Sequence, residues 1–252
     1  MRKIVLILGF CVSVIATAAH AQEMIRAFGP GGPAPAMKEA AEAFASKAKI
    51  KIEVIAGPTG EWIERAKAEG DLIFSGSEVM MADFVSAMAG RIVDTTITPL
   101  YLRPSAILVR PGNPKAIRGL SDLIGRDLKV LVVNGAGQQG LWEDMVGRTG
   151  EIAKVRALRA RIVAFAPNSA AARKIWTERS DIDAWIIWNI WQVANPTVAD
   201  LVEVEPEYRI YRDTGIGLTQ VGLGKVAAKD FVTFLQSAEG AAIFRKWGWV
   251  TN

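Results

Sequence analysis

Cysteine and histidine are almost missing from this sequence. In 252 residues there is one of each, Cys11 and His20, and both fall among the first twenty. A single Cys excludes a disulfide framework. Beyond residue 21 the chain has neither residue type, which excludes thiol and imidazole nucleophiles and the usual zinc ligands. A surplus of one charge is missing too: 30 Lys and Arg stand against 26 Asp and Glu, a formal charge of +4. That balance gives no basic footprint for nucleic acid. Long apolar runs are also absent. The longest, Ile4 to about Ala19, is shorter than the ~20 residues a membrane-spanning helix needs. Arg2 and Lys3 precede it, and Ala19-His20-Ala21, an A-x-A pattern, follows it ahead of Gln22. Residues 1–21 therefore read as a secretory signal peptide. A cysteine-free exported chain that must rely on packing suits a bacterial periplasm.

What is present is apolar and regularly punctuated. Half of the residues are hydrophobic, enough for a substantial core, and the length fits one large domain or two lobes of about 100 residues each. Strand-like and helix-like segments alternate. "IKIEVIAG" (50–57) precedes "EWIERAKAE"; "DLIFSGS" (71–77) precedes "VMMADFVSAM"; "LKVLVVNGAG" (128–137) precedes "GLWEDMVGR"; "RIVAFAP" precedes "SAAARKIWTE". "PSAILVRPG" (104–112), "IDAWIIWN" and "YRIYRDTGIGLT" read as further extended segments, and "AKDFVTFLQSAEGAAIFRKWG" as one closing helix. The alternation predicts an α/β fold with mostly parallel sheets. The densest internal cluster of breakers, "RPGNPKAIRG" (110–119), marks a passage between lobes.

The loops between these segments share one chemistry. "GPGGPAPA" follows the first strand, then come "GPTGEW", "SGSE", "GAGQQG" and "PNSAAA". Each lies where a strand ends and a helix begins. In open α/β sheets ligands sit beyond the carboxyl ends of the strands, where the first amides of a helix lack intrahelical acceptors and favour anions. Singly, each loop is also ordinary turn and cap chemistry, with Thr59, Ser77 and Ser169 as N-caps. Their repetition points to a converging set that holds a small oxyanion or carboxylate. "GAGQQG" (135–140) matches the dinucleotide fingerprint, but the next strand ends at Ala166-Pro167-Asn168 with no acidic residue for a ribose. A smaller ligand approached through Gly137 and Gln138 fits better. "SKAK" (46–49) has the S-x-x-K spacing of penicillin-recognising enzymes without their companion motifs. Trp185, Trp188 and Trp191 are spaced by three. They read as core packing, or as a wall in which Trp188 and Asn189 present N–H donors to an anion. Arg103 or Arg212 supplies a positive charge.

"DLIFSGSE", "LYLRPSAILVRPGNPK", "VNGAGQQGLWEDM", "IDAWIIWNIWQVANP" and "YRIYRDTG" resemble the accessory colonization factor C (AcfC) family of periplasmic binding proteins. More broadly, essentially all of residues 22–252 are similar to the type 2 solute-binding fold of molybdate- and sulfate-binding proteins. The resemblance implies two lobes, each a mostly parallel sheet flanked by helices, joined by a two-strand hinge. Lobe I would comprise 22–105 with 209–252, and lobe II 106–208. It implies ligand contacts at Gly31 and Gly32, at Thr59, at Gly137 and Gln138, at Ser169 and at Trp188–Asn189. Ser77 and Arg103 join them from the reading of the residues. The first loop lacks the hydroxyl usual there, and Trp188 replaces a frequent Tyr.

The function expected from this is capture of a small anion, of sulfate or molybdate type, in a cleft between lobes. The solute would pass to an ABC-type transporter or a chemoreceptor. A small carboxylate or acidic amino acid paired with Arg103 is the alternative ligand. An exported hydrolase would have to act through Asp or Glu alone, and an adhesin would bind a surface without a small ligand. No metal, cofactor or nucleic acid is expected, and the resemblance implies a monomer.

Overall fold

Each apolar strand runs into a Gly- or Pro-bearing loop and then a helix, and this alternation builds a mixed α/β fold. The computed structural model describes residues 23–135 and 137–251; the expected signal peptide and Ala136 lie outside them. The chain begins with β1 (Met24–Gly29), α1 (Ala34–Ala48), β2 (Lys51–Ala56), α2 (Thr59–Glu69), β3 (Leu72–Phe74) and α3 (Glu78–Ala87). A 3-10 turn at Asp94–Thr96 leads into the long strand β4 (Thr98–Val109). Next come α4 (Leu120–Gly125), β5 (Val130–Val133), α5 (Leu141–Gly147), α6 (Ile152–Arg161), β6 (Ile162–Ala166), α7 (Ser169–Glu178), β7 (Ala184–Trp188) and α8 (Ile190–Ala194). The chain closes with β8 (Asp200–Glu203), β9 (Tyr211–Leu218), α9 (Gln220–Leu223), α10 (Val226–Leu235) and α11 (Ala238–Lys246).

The strands lie in the order β2-β1-β3-β9-β4-β7-β5-β6, with β8 paired to β4. β1 is parallel to β2 and β3, and β5 is parallel to β6 and β7. Parallel strands covered by helices on both faces are apolar throughout. "LIF" in β3, "VLVV" in β5 and "AWIIW" in β7 are accordingly buried at every residue. The antiparallel pairings all involve β4 or β9. Residues 98–104 of β4 pair with β9, from Thr98 opposite Ile216 to Pro104 opposite Tyr211. Residues 105–109 pair with β7, from Ser105 opposite Trp188 to Val109 opposite Ala184, and with β8.

Alternation along β1 splits its side chains between the two sheet faces. Ile25 and Ala27 join the larger buried cluster, with Met37, Trp185 and Phe231, while Phe28 joins a smaller one with Trp62, Ile73 and Phe84. Three local features depart from the sequence reading. The closing helix is two helices, because the Ser237 hydroxyl accepts from the Gly240 N–H at 3.2 Å and caps a new start. Gly240 is needed there: a Cβ would lie 2.5 Å from the Phe234 carbonyl of α10. β4 also begins six residues earlier than "PSAILVRPG", since the segment from Thr98 finds its ladder in the distant β9. Between "GLWEDMVGR" and "RIVAFAP" the chain folds an additional helix, α6.

Candidate functional site

The carboxyl ends of β1, β2, β3, β5, β6 and β7 send their loops toward one cavity of about 110 Å³. Two helices start at it without any side-chain cap. α1 has Pro33 and α2 has Pro58 at the N-cap, and neither makes a capping hydrogen bond. Proline carries no N–H, so Pro30, Pro33 and Pro35 leave the amides of Gly31, Gly32 and Ala34 as the donors at the start of α1. Uncapped first-turn amides keep the positive end of the helix dipole open. Two further helices at the cavity, α3 and α7, are capped. The Ser77 hydroxyl accepts from the Met80 N–H at 3.1 Å, and the Asn168 side-chain oxygen Oδ1 accepts from the Ala171 N–H at 2.9 Å. Asn168, not Ser169, is thus the cap of α7, which frees Ser169 to accept from Gln138 Nε2 at 2.7 Å. That bond ties the loop after β5 to the loop after β6.

Arg103 is the only charged side chain among the described cavity-lining residues. It is 4 % exposed, which is unusual for a guanidinium without an ion partner. Nη2 donates to the Gly76 carbonyl. Nε is buried without an acceptor, and no described residue accepts from Nη1. The guanidinium lies over Trp188 at 4.8 Å and over Trp249 at 5.3 Å from the ring centroids. Burial pushes its pKa down to about 9, partly opposed by the nearby Asp213 carboxylate, so the group remains a cation at neutral pH. Gly76 must be glycine for this approach, since a Cβ would fall 2.9 Å from Arg103 Nη2. Arg212, the other arginine considered, is committed elsewhere, to Asp144 at 2.7 Å.

The remaining donors are also unused. The Trp188 indole N–H is buried with no partner, and neither the Thr59 hydroxyl nor the Trp191 N–H has one in the structure. Facing these donors, Gln138 Oε1 is a buried acceptor without a partner, so donors outnumber free acceptors and suit a ligand that mainly accepts hydrogen bonds. Of the residues expected at the site, the structure brings Gly31, Gly32, Thr59, Arg103, Gln138, Ser169 and Trp188 to the cavity. Ser77, Gly137 and Asn189 stand behind it. Gly137, at φ +75°, is packed against Met80: a Cβ would lie 2.8 Å from the Met80 methyl. Asn189 donates through Nδ2 to the Gly248 carbonyl at 2.7 Å. Met80, Gly76 and Trp191 line the cavity without having been singled out as ligand contacts. Trp191 carried a signal through its place in the tryptophan run and Gly76 through the "SGSE" loop, whereas Met80 carried none. The S-x-x-K stretch lies away from the cavity, with Lys47 paired to Glu239. Among the described residues no cluster of His, Cys, Asp or Glu is arranged to hold a metal ion.

Comparison with known proteins bears on this arrangement. The family described as bacterial extracellular solute-binding protein matches residues 25–250. A crystal structure of PEB3 bound to L-phospholactate is 35 % identical, with a TM-score of 0.85, covering 90 % of this chain and 100 % of that one. PEB3 from Campylobacter jejuni has also been solved in another crystal structure, at 34 % identity, a TM-score of 0.84 and the same coverage. The periplasmic molybdate-binding protein of Azotobacter vinelandii shares the fold at 16 % identity and a TM-score of 0.65, covering 90 % of this chain and 99 % of that one. The type 2 periplasmic binding fold is therefore the fold of this chain. No match is found among curated proteins.

Proposed function

The chain belongs to the bacterial extracellular solute-binding protein family, and from that premise we propose that it captures a small anion with an oxyanion head in its cleft. The observation that carries this reading is Arg103: a buried guanidinium with no carboxylate partner, surrounded by unused N–H and O–H donors. Burying an uncompensated cation costs several kcal/mol, and an anionic ligand offsets that cost. The uncapped starts of α1 and α2 add dipoles of the same sense. A cavity of about 110 Å³ has room for several water-sized groups, more than a bare tetrahedral ion fills. Its Met80, Trp188 and Trp191 surfaces suit a short carbon skeleton. A phosphorylated small acid of the kind in the PEB3 complex fits both demands, and sulfate or molybdate meets the first.

The protein acts in the periplasm as a binding protein, and passes its solute to an ABC-type transporter or a chemoreceptor. Residues 22–105 with 209–252 form one lobe and 106–208 the other. Support for that division comes from β4, whose partner changes from β9 to β7 between Pro104 and Ser105. Closure of the lobes brings Thr59 and the first loop, from one side, against Gln138 and Ser169 from the other.

Thermal denaturation of the 22–252 protein against sulfate, molybdate, phosphate, L-phospholactate and L-aspartate tests the reading. A ligand that binds only the folded state stabilises it by about 2.7 kcal/mol at a hundredfold excess over its dissociation constant. At least one oxyanion-bearing compound is expected to raise the melting temperature. A response to aspartate alone selects the carboxylate alternative, and a flat panel with ligand-free protein rejects small-anion capture.

A further inference from the structure

We propose that Trp249, presented by the C-terminal tail, is a positioning residue that holds the Arg103 guanidinium in its ligand-receiving orientation. The proposal rests on the reading of Arg103 as the anion-binding cation. In the structure that cation has one hydrogen bond, to the Gly76 carbonyl, while Nε and Nη1 have no acceptor. One hydrogen bond does not by itself fix the orientation of a guanidinium plane. The remaining constraint comes from two indoles, Trp188 and Trp249, whose faces attract a cation. Trp188 is built into the central sheet, opposite Ser105. Trp249 arrives from the other end of the sequence and needs its own anchors.

The tail has them on both sides of Arg103. Leu102, the residue before Arg103, exchanges two backbone hydrogen bonds with Val250, at 3.2 and 2.7 Å. The Gly248 carbonyl accepts from Asn189, just after the end of β7. Gly248 adopts φ +86°, a turn that favours glycine, and the Trp249 N–H donates to the Phe244 carbonyl at the end of α11. Phe244 also meets the Trp249 ring edge-on at 5.8 Å. Trp249 is 3 % exposed. Residues 248–250 thus bridge β4 and the β7–α8 junction directly behind the site, and the ring they place covers the guanidinium. Asn189 then serves the ligand indirectly, by pinning this tail.

The experiment compares Trp249→Leu, which keeps an apolar side chain but removes the π face, with Trp249→Phe, which retains a smaller face. Calorimetry uses L-phospholactate as the probe, and NMR follows the Arg103 Nε–H resonance in the ligand-free protein, assigned by its absence in Arg103→Met. Trp249→Leu is expected to weaken binding about tenfold and Trp249→Phe about twofold. The ring-shifted Nε–H resonance moves toward an ordinary arginine position in Trp249→Leu and part-way in Trp249→Phe. In the Arg103→Met background Trp249→Leu has no further effect on binding. Equal weakening in both variants overturns the proposal, as does an unmoved resonance. If the wild-type protein takes up no L-phospholactate, the anion reading is what suffers, and the resonance alone decides whether Trp249 places Arg103. If Trp249→Leu does not fold, the resonance in Trp249→Phe decides, and one that stays in place overturns the proposal.

Discussion

Two arginines at either end of one strand segment, Arg103 within β4 and Arg110 just beyond it, both lie over tryptophan rings and are treated oppositely. Arg110 sits 3.6 Å from the centroid of Trp176 and donates to three carbonyls, of Ile182 at 2.8 Å, Trp176 at 2.9 Å and Arg179 at 2.6 Å. Each of its three nitrogens donates to the protein. Arg103 lies over two rings and donates to one carbonyl. Burial lowers the pKa of both, for Arg110 against the pull of Asp183 and Asp181, for Arg103 against that of Asp213. The difference is in what remains unsatisfied. A half-buried cation whose three nitrogens all donate to the protein is a structural clamp, and a buried one with free donors beside a cavity is a receptor for an anion.

The comparison can be broken at either end. Arg103→Met is expected to abolish ligand-induced stabilisation and to weaken binding at least about a hundredfold, in line with the ~2–5 kcal/mol lost when one partner of a buried charge pair is removed. Its ligand-free melting temperature should stay level or rise, because an unpaired buried charge is removed. A ligand shift that survives intact in this variant contradicts the receptor role. Arg110→Met should show the inverse. Three carbonyls lose their donor, costing ~2–4 kcal/mol of stability by chemical denaturation, while folded protein retains its affinity.

A change of pH sharpens the contrast without mutation. An anion favours protonated Arg103, so the bound-state pKa lies above the value of about 9 in the ligand-free protein. Binding then takes up a proton above that value. Affinity for a ligand of fixed charge should be flat from pH 7 to 8 and fall as pH rises beyond about 9, measured by calorimetry. A decline centred near pH 7 would point to a different titrating group. The smallest effect is expected from Thr59→Ala. The Thr59 hydroxyl has no partner in the protein, so its loss should cost about fivefold in affinity, the worth of one hydrogen bond near 1 kcal/mol, with no change in stability.

Much of the fold was legible because the signals were local. Apolar runs such as "VLVV" and "AWIIW" named their strands, and Gly/Pro loops before helices named the ends where ligands gather. Thr59 and Gln138 could be found by that rule. The alternative reading of Ser169 as a mere cap gives way to Asn168 one residue earlier, a choice set by backbone geometry, and the hydroxyl lies at the cavity. Asn189, at the carboxyl end of a strand, reads as a donor to ligand; in the structure Gly248, 59 residues away, accepts from it. Met80 reads as one more apolar residue of α3, and only the packing of Gly137 against it reveals a cavity wall.

The sequence by itself determined the α/β alternation, the lack of Cys and His beyond residue 21, and the set of loops able to present bare amides. Those follow from residue type, periodicity and proline and glycine stereochemistry, which act over a few residues. The tertiary structure alone decided which arginine is left unsatisfied. Saturation depends on carbonyls and carboxylates brought in from remote segments, and each donor is counted as used or free only when the whole chain has packed around it.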